Sequence, residues 1–224
     1  MKSHSTATSI IYGTIRRILR PFIQGIWIKK VTGLHNIPRR GSAILAMNHQ
    51  SFFDFLTLSV VCPRNIHFLA AEKFFYHPVW KHIMMVTGQI KVERTSTDKA
   101  GVHQLVETHV QKNTLLGIFP EGTRSESKTH MLKAYTGIAK YALTHRIPII
   151  PVGIIGADDV LSKTGKKVNT AKVIEIHIGE ALHFDEYFEK EISKETCTLV
   201  TEKVMKKISN LSNKIYTHYE FDNN

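Results

Sequence analysis

The chain has 224 residues, 42% of them apolar, enough for one domain with a full hydrophobic core and too many for a disordered segment. Its two cysteines, Cys62 and Cys197, are far apart and lack metal-ligand spacing, which argues against a disulfide framework or a zinc site. The net charge of +11 is uneven: residues 1–150 carry 20 Lys/Arg against 7 Asp/Glu, whereas residues 151–224 balance at −2. So basic a front half should meet an anionic partner, whether a nucleic acid, a membrane surface or a phosphorylated substrate.

Residues 9–28 open the chain with Ile11, Ile15, Ile18, Phe22 and Ile26 at helical spacing. Arg16, Arg17, Arg20, Lys29 and Lys30 supply the polar side, and no acidic residue occurs before Asp54. Pro21 is expected to kink or divide this helix. A basic amphipathic helix bearing Phe and Trp suits a lipid interface, although the same pattern serves a helix that packs on a core with its arginines in water. No apolar run reaches about 18 residues, so no segment is expected to span a bilayer. The first residues lack the pattern of a signal peptide, and the chain is expected on the cytoplasmic side.

From residue 31 strands and helices alternate. Ala43–Met47 is an apolar strand, Phe53–Val61 a helix and Ile66–Ala71 a strand. Phe74–Thr87 reads as a helix, Gln89–Val92 as a strand and Ala100–Lys112 as a helix. Thr114–Phe119 follows as a strand, Lys133–Thr144 as a helix, Ile147–Ile155 as a buried strand and Lys172–Ile178 as an alternating one. Asp185–Ile215 forms one or two charged amphipathic helices. This order implies an α/β fold with a mostly parallel central sheet flanked by helices. The expected organisation is a helical arm over residues 1–30, an α/β core over 31–182 and a helical segment over 183–224. In such sheets the chemistry gathers at the carboxyl ends of strands.

The first such end is Asn48-His49-Gln50-Ser51-Phe52-Phe53-Asp54. Five residues separate His49 from Asp54, which would set them about 140° apart on a continuous helix. They meet only if His49 lies in the turn before a helix that Ser51 caps. Asp54 then accepts the Nδ1 proton, and Nε2 is left free to take a proton from a substrate hydroxyl. With no nucleophile motif such as G-x-S-x-G nearby, the pair would activate the hydroxyl directly. A capping box alone also accounts for Ser51 and Asp54, with His49 one of 13 histidines. The second end is Phe119-Pro120-Glu121-Gly122-Thr123-Arg124-Ser125. Gly122 allows close backbone approach and Arg124 offers a planar fork to phosphate oxygens, while an ordinary polar turn capped by Thr123 or Ser125 fits as well.

Together these pieces resemble the 1-acyl-sn-glycerol-3-phosphate acyltransferase family of glycerolipid acyltransferases. Four blocks carry the resemblance in order over roughly residues 31–155: Asn48, His49, Ser51 and Asp54; Lys73, Pro78, Gly88 and Arg94; Phe119–Ser125; and Ile147-Pro148-Ile149-Ile150-Pro151-Val152. The resemblance implies His49 as general base and Asp54 as its orienting partner. It implies that Glu121, Gly122, Thr123 and Arg124 hold the acceptor, with Arg94 and Lys73 on its phosphate. It further implies transfer of a fatty acyl group from acyl-CoA or acyl carrier protein to 1-acyl-sn-glycerol 3-phosphate, giving phosphatidic acid, with no metal or organic cofactor.

The same resemblance favours the interface reading of residues 9–30 on an anionic membrane surface, as a peripheral or monotopic protein. Glycerol 3-phosphate, another lysophospholipid or a lyso-aminolipid are alternative acceptors. A non-enzymatic basic module would explain the charge but not the blocks, and a nucleic-acid motif is absent. One departure follows the third block, where many relatives carry Lys or Arg two residues before a Gly; here Lys133 and Gly137 are four apart.

Overall fold

A computed structural model describes residues 6–78, 80–92 and 100–217. Within them, β1 (Ile28–Thr32), β2 (Ala43–Met47), β3 (Ile66–Ala71), β4 (Ile90–Val92), β5 (Leu115–Ile118), β6 (Ile149–Ile155) and β7 (Ile174–Ile178) form one sheet. Their order is β1-β7-β6-β2-β5-β3-β4. All neighbouring pairs are parallel except β6 with β7, so β7 and β1 run against the other five.

The sequence explains why the middle of this sheet is covered on both faces. All five residues of β2 are buried, and a strand's side chains alternate between faces. Ala43, Leu45 and Met47 join one core with Ile23 of α1 (Thr6–Ile26), Leu58 and Val61 of α2 (Phe52–Val61) and Val160 of α7 (Ala157–Val160). Ile44 and Ala46 join the other with Val106 of α5 (Ala100–Gln111), Ile138 and Ala142 of α6 (Gly137–His145), and Val204 and Ile208 of α8 (Lys194–Ser212). A continuous apolar run is what a two-sided parallel strand requires.

Several elements depart from the sequence reading, each for a local reason. α1 continues through Pro21 as one helix; the proline lies on the exposed side, where the carbonyl it frees can reach water. The expected helix Phe74–Thr87 is two, α3 (Lys73–Tyr76) and α4 (Trp80–Val86), because His77 adopts extended backbone (φ −73°, ψ 130°) before Pro78. α6 starts at Gly137 rather than Lys133, since the main chain before it is bonded elsewhere. β1 was not expected: with Lys29 and Lys30 exposed, its pattern does not read as a strand. It takes in residues 28–30, which the sequence grouped with the arm.

Candidate active site

Strand register brings the two informative turns together. Ala46 of β2 pairs with Ile118 of β5, so the chain leaving β2 at Asn48-His49 lies beside the chain leaving β5 at Phe119-Pro120. On the other flank Met47 pairs with Val152. The Asn48 amide then continues the ladder in place of backbone: Nδ2 donates to Ile154 O at 2.8 Å and Oδ1 accepts from Ile154 N at 2.8 Å. Asn48 thereby fixes where the strand ends and His49 begins.

α2 starts immediately afterwards. Ser51 Oγ accepts the Phe53 N–H at 3.1 Å, and Asp54 Oδ2 accepts the Ser51 N–H at 2.8 Å and the Gln50 N–H at 2.7 Å. The same Oδ2 is 2.9 Å from His49 Nδ1. Capping and orientation are therefore one arrangement, and the carboxylate that completes the capping box also holds the imidazole. Asp54 is fully buried, whereas the His49 side chain keeps 16% of its surface exposed. The His49 ring stacks on Phe119, with centroids 3.8 Å apart and planes 23° apart. Ser125 N donates to His49 O at 2.7 Å, which locks the two turns together.

His49 faces a cavity of about 420 Å³. Phe52, Phe55, Phe68, Phe74, Trp80 and Met84 line its apolar part, while Lys73, Gly122, Thr123 and Arg124 supply polar groups. The Arg124 guanidinium lies 4.2 Å from the centre of the Phe52 ring. Gly122 takes a positive φ of 68°, and a Cβ there would come within 2.7 Å of the Tyr135 ring. Tyr135 also lines the cavity and donates its N–H to Pro120 O at 2.9 Å.

The expected site residues thus divide. His49 and Asp54 are in contact; Lys73, Gly122, Thr123 and Arg124 share the cavity wall. Arg94 lies outside the described residues. Glu121 is placed otherwise: it is buried, does not line the cavity, and accepts the His49 N–H at 2.8 Å on one oxygen and the Leu132 N–H at 2.7 Å on the other. Its carboxyl is pushed up to about 7, chiefly by burial, with Asp54 raising it further and the two N–H donors and Lys214 opposing. Phe119 and Phe52 lie inside the two motifs but were assigned no role, and Tyr135 lies outside them. Their aromatic character was visible, but their contact with His49, Arg124 and Gly122 depends on register and turn geometry. Among the described residues no group of three or more His, Cys, Asp or Glu could hold a metal ion.

Comparison with known proteins identifies the family. The family model described as Acyltransferase matches residues 29–155, more than half of the chain. A 1-acyl-sn-glycerol-3-phosphate acyltransferase of Bacillus subtilis is 24% identical over 83% of this chain and 89% of its own length. Another so named, from Helicobacter pylori, is 31% identical over 52% of this chain, which spans only half of that relative. The crystal structure of the 1-acyl-sn-glycerophosphate acyltransferase PlsC from Thermotoga maritima shares the fold, with a TM-score of 0.71 at 22% identity over 94% of this chain and 83% of that one. The chain belongs to the acyltransferase family of enzymes.

Proposed function

We propose that this enzyme transfers a fatty acyl group from a thioester, acyl-CoA or acyl carrier protein, to the free hydroxyl of 1-acyl-sn-glycerol 3-phosphate, giving phosphatidic acid at a membrane surface. The observation that carries the reading is His49, held by the buried Asp54, facing a cavity that joins apolar walls to cationic groups. The apolar part suits acyl chains, and Lys73 and Arg124 suit the phosphate. Arg94 is assigned to the same phosphate on the family resemblance alone.

With Nδ1 bonded to Asp54, His49 Nε2 takes the acceptor's hydroxyl proton as that oxygen attacks the thioester carbonyl. The C–S bond then breaks, and the imidazolium returns the proton to the departing thiolate. The product ester and free thiol balance the reaction, with no covalent acyl-enzyme. Holding both substrates in this geometry supplies ~7–11 kcal/mol of the barrier reduction. Proton transfer through His49 adds about 10²–10⁴-fold.

Attachment to the membrane is assigned to α1. Tyr12 and Ile23 are buried against the protein, but Ile10, Ile11, Ile15, Ile18, Leu19, Phe22 and Ile26 are exposed, beside Arg17 and Arg20. Neighbouring α4 exposes Ile83, Met85 and Val86. An apolar face turned outward with arginines at its margin fits a peripheral or monotopic attachment to anionic lipid on the cytoplasmic side. No helix among the described residues is long and apolar enough to cross a membrane.

The test is thioester consumption by the full chain on anionic vesicles, with 1-acyl-sn-glycerol 3-phosphate, glycerol 3-phosphate and other lysolipids each supplied as acceptor. Wild type should consume thioester only with acceptor present, fastest with lysophosphatidate, and His49→Ala should lose about 10²-fold or more while remaining folded. A folded His49→Ala variant keeping a tenth of wild-type turnover would refute the base assignment.

A further inference from the structure

Lys214, just past α8, is buried and does not line the cavity. Lys214 is 9% exposed and donates from Nζ to Lys128 O. The segment it opens pairs with the loop that follows the Phe119–Ser125 block. Ile215 N donates to Thr129 O at 2.8 Å, Met131 N to Ile215 O at 2.9 Å, and Ala134 N to the Tyr216 hydroxyl at 3.4 Å. The next link is Leu132, whose N–H goes to Glu121, and Glu121 in turn takes the N–H of His49. A continuous set of hydrogen bonds therefore runs from the C-terminal segment through the 128–134 loop and one carboxylate to the backbone of His49.

We propose that Lys214 is a positioning residue: Lys214–Tyr216 clasp the 128–134 loop, and the Lys214 ammonium favours the carboxylate form of Glu121 that holds the His49 turn in register. The carboxylate accepts one N–H on each oxygen; protonation turns one oxygen into a hydroxyl, a weaker acceptor whose own proton then needs a partner. Burial favours that protonation and Lys214 opposes it. Among the described residues the other charge acting on Glu121 is Asp54 of α2, which favours the proton, and His49 is the titratable residue whose N–H Glu121 holds. Around Lys214 stand Asp158 and Asp159 of α7, together with Asp54 and Glu121, all favouring its charge against the burial that disfavours it. Lys128, in the clasped loop, turns its own ammonium to Asp159 at 2.8 Å.

Glu121 binds its proton more tightly folded, at about 7, than at the ordinary 4.5. Its contribution to stability is therefore full below the ordinary value and is lost as pH rises to the folded one. Removing the Lys214 charge lifts the folded value, so the decline extends to higher pH.

The experiment compares wild type, Lys214→Met, Lys214→Arg, Glu121→Gln and the Lys214→Met/Glu121→Gln pair in the full chain. Melting temperature is followed from pH 5 to 8, with kcat for acyl transfer over the same range; only this kinetic arm rests on the proposed reaction. In Lys214→Met the fall in melting temperature should persist above pH 7, and the acid limb of kcat should move upward by half a pH unit or more. Lys214→Arg should restore both profiles, and on the Glu121→Gln background neither should shift. Should Lys214→Met fail to fold, Lys214→Gln, which keeps a donor for Lys128 O, takes its place. Equal loss at every pH, or the same shift without Glu121, overturns the proposal. A wild type without thioester activity defeats the proposed reaction, while the melting profiles still decide the clasp.

Discussion

Asp54 Oδ2 accepts two backbone N–H groups at the start of α2 and lies 2.9 Å from His49 Nδ1. One oxygen thus combines a capping role with the orienting role proposed for it, and substitution can separate them. Asp54→Asn keeps an oxygen for the backbone donors but removes the charge that stabilises an imidazolium. Asp54→Ala removes both and leaves the Gln50 and Ser51 N–H groups buried without an acceptor, at ~1–3 kcal/mol each. Both variants should lose about 10²-fold or more in kcat. Only Asp54→Ala should lower the unfolding free energy by more than ~1 kcal/mol. Denaturant titration beside the thioester assay checks this, and an active, stable Asp54→Ala would separate His49 from its partner.

Gly122 and Tyr135 make a second pair whose terms can be divided. An alanine at 122 meets two penalties, a left-handed backbone costing ~1–2 kcal/mol and a collision with the Tyr135 ring. Gly122→Ala should destabilise the fold and lower acyl transfer. Tyr135→Ala, removing an exposed ring, should be nearly neutral for stability. The double variant should recover the collision and not the backbone part. If the two losses simply add, the ring yields freely and the constraint is backbone alone.

How far the sequence reached is clearest at these positions. Ala43–Met47 and Ile66–Ala71 were legible as strands because central parallel strands are apolar on both faces, and chain order implied the mostly parallel sheet. The side-by-side placement of His49 and Phe119 was not, since it follows from the Ala46–Ile118 register. Glu121 shows the limit of reading by residue type. A carboxylate in a turn near a predicted phosphate site suggests ligand contact, yet its partners are the N–H groups of His49 and Leu132, 72 and 11 residues away. The same loop explains the misplaced start of α6: the main chain of Thr129, Met131, Leu132 and Ala134 is bonded to Ile215, Glu121 and Tyr216 rather than into a helix.

The Arg124 guanidinium lies over the Phe52 ring, 4.2 Å from its centre, so it is positioned before any ligand arrives. Arg124→Ala should raise the Michaelis constant for the phosphorylated acceptor tenfold or more, with a much smaller effect on the thioester; a fully formed charge-assisted contact is worth ~1.5–3 kcal/mol. Arg124→Lys should rescue little of this, because an ammonium neither stacks on the ring nor forks to two oxygens. Equal effects on both substrates would move Arg124 away from the phosphate.

The exposed face of α1 gives the membrane prediction. Deleting the whole helix would also remove Tyr12, buried beneath it with its hydroxyl on Ile66 O at 3.2 Å, and Ile23 from the core, so lost binding would be confounded with lost folding. Ile18 and Phe22 are better probes: they are 59% and 64% exposed and outside both cores. Each apolar side chain transferred into lipid contributes ~1.5–3 kcal/mol, so Ile18→Asp with Phe22→Asp should weaken binding to anionic vesicles by about 10²-fold or more. Arg17→Gln with Arg20→Gln should cost less, ~1 kcal/mol per charge, and only at low salt. Acyl transfer from a soluble thioester to a detergent-dispersed acceptor should be unchanged in both. Co-sedimentation as tight for the aspartate pair as for wild type would show that the outward face of α1 does not meet the bilayer.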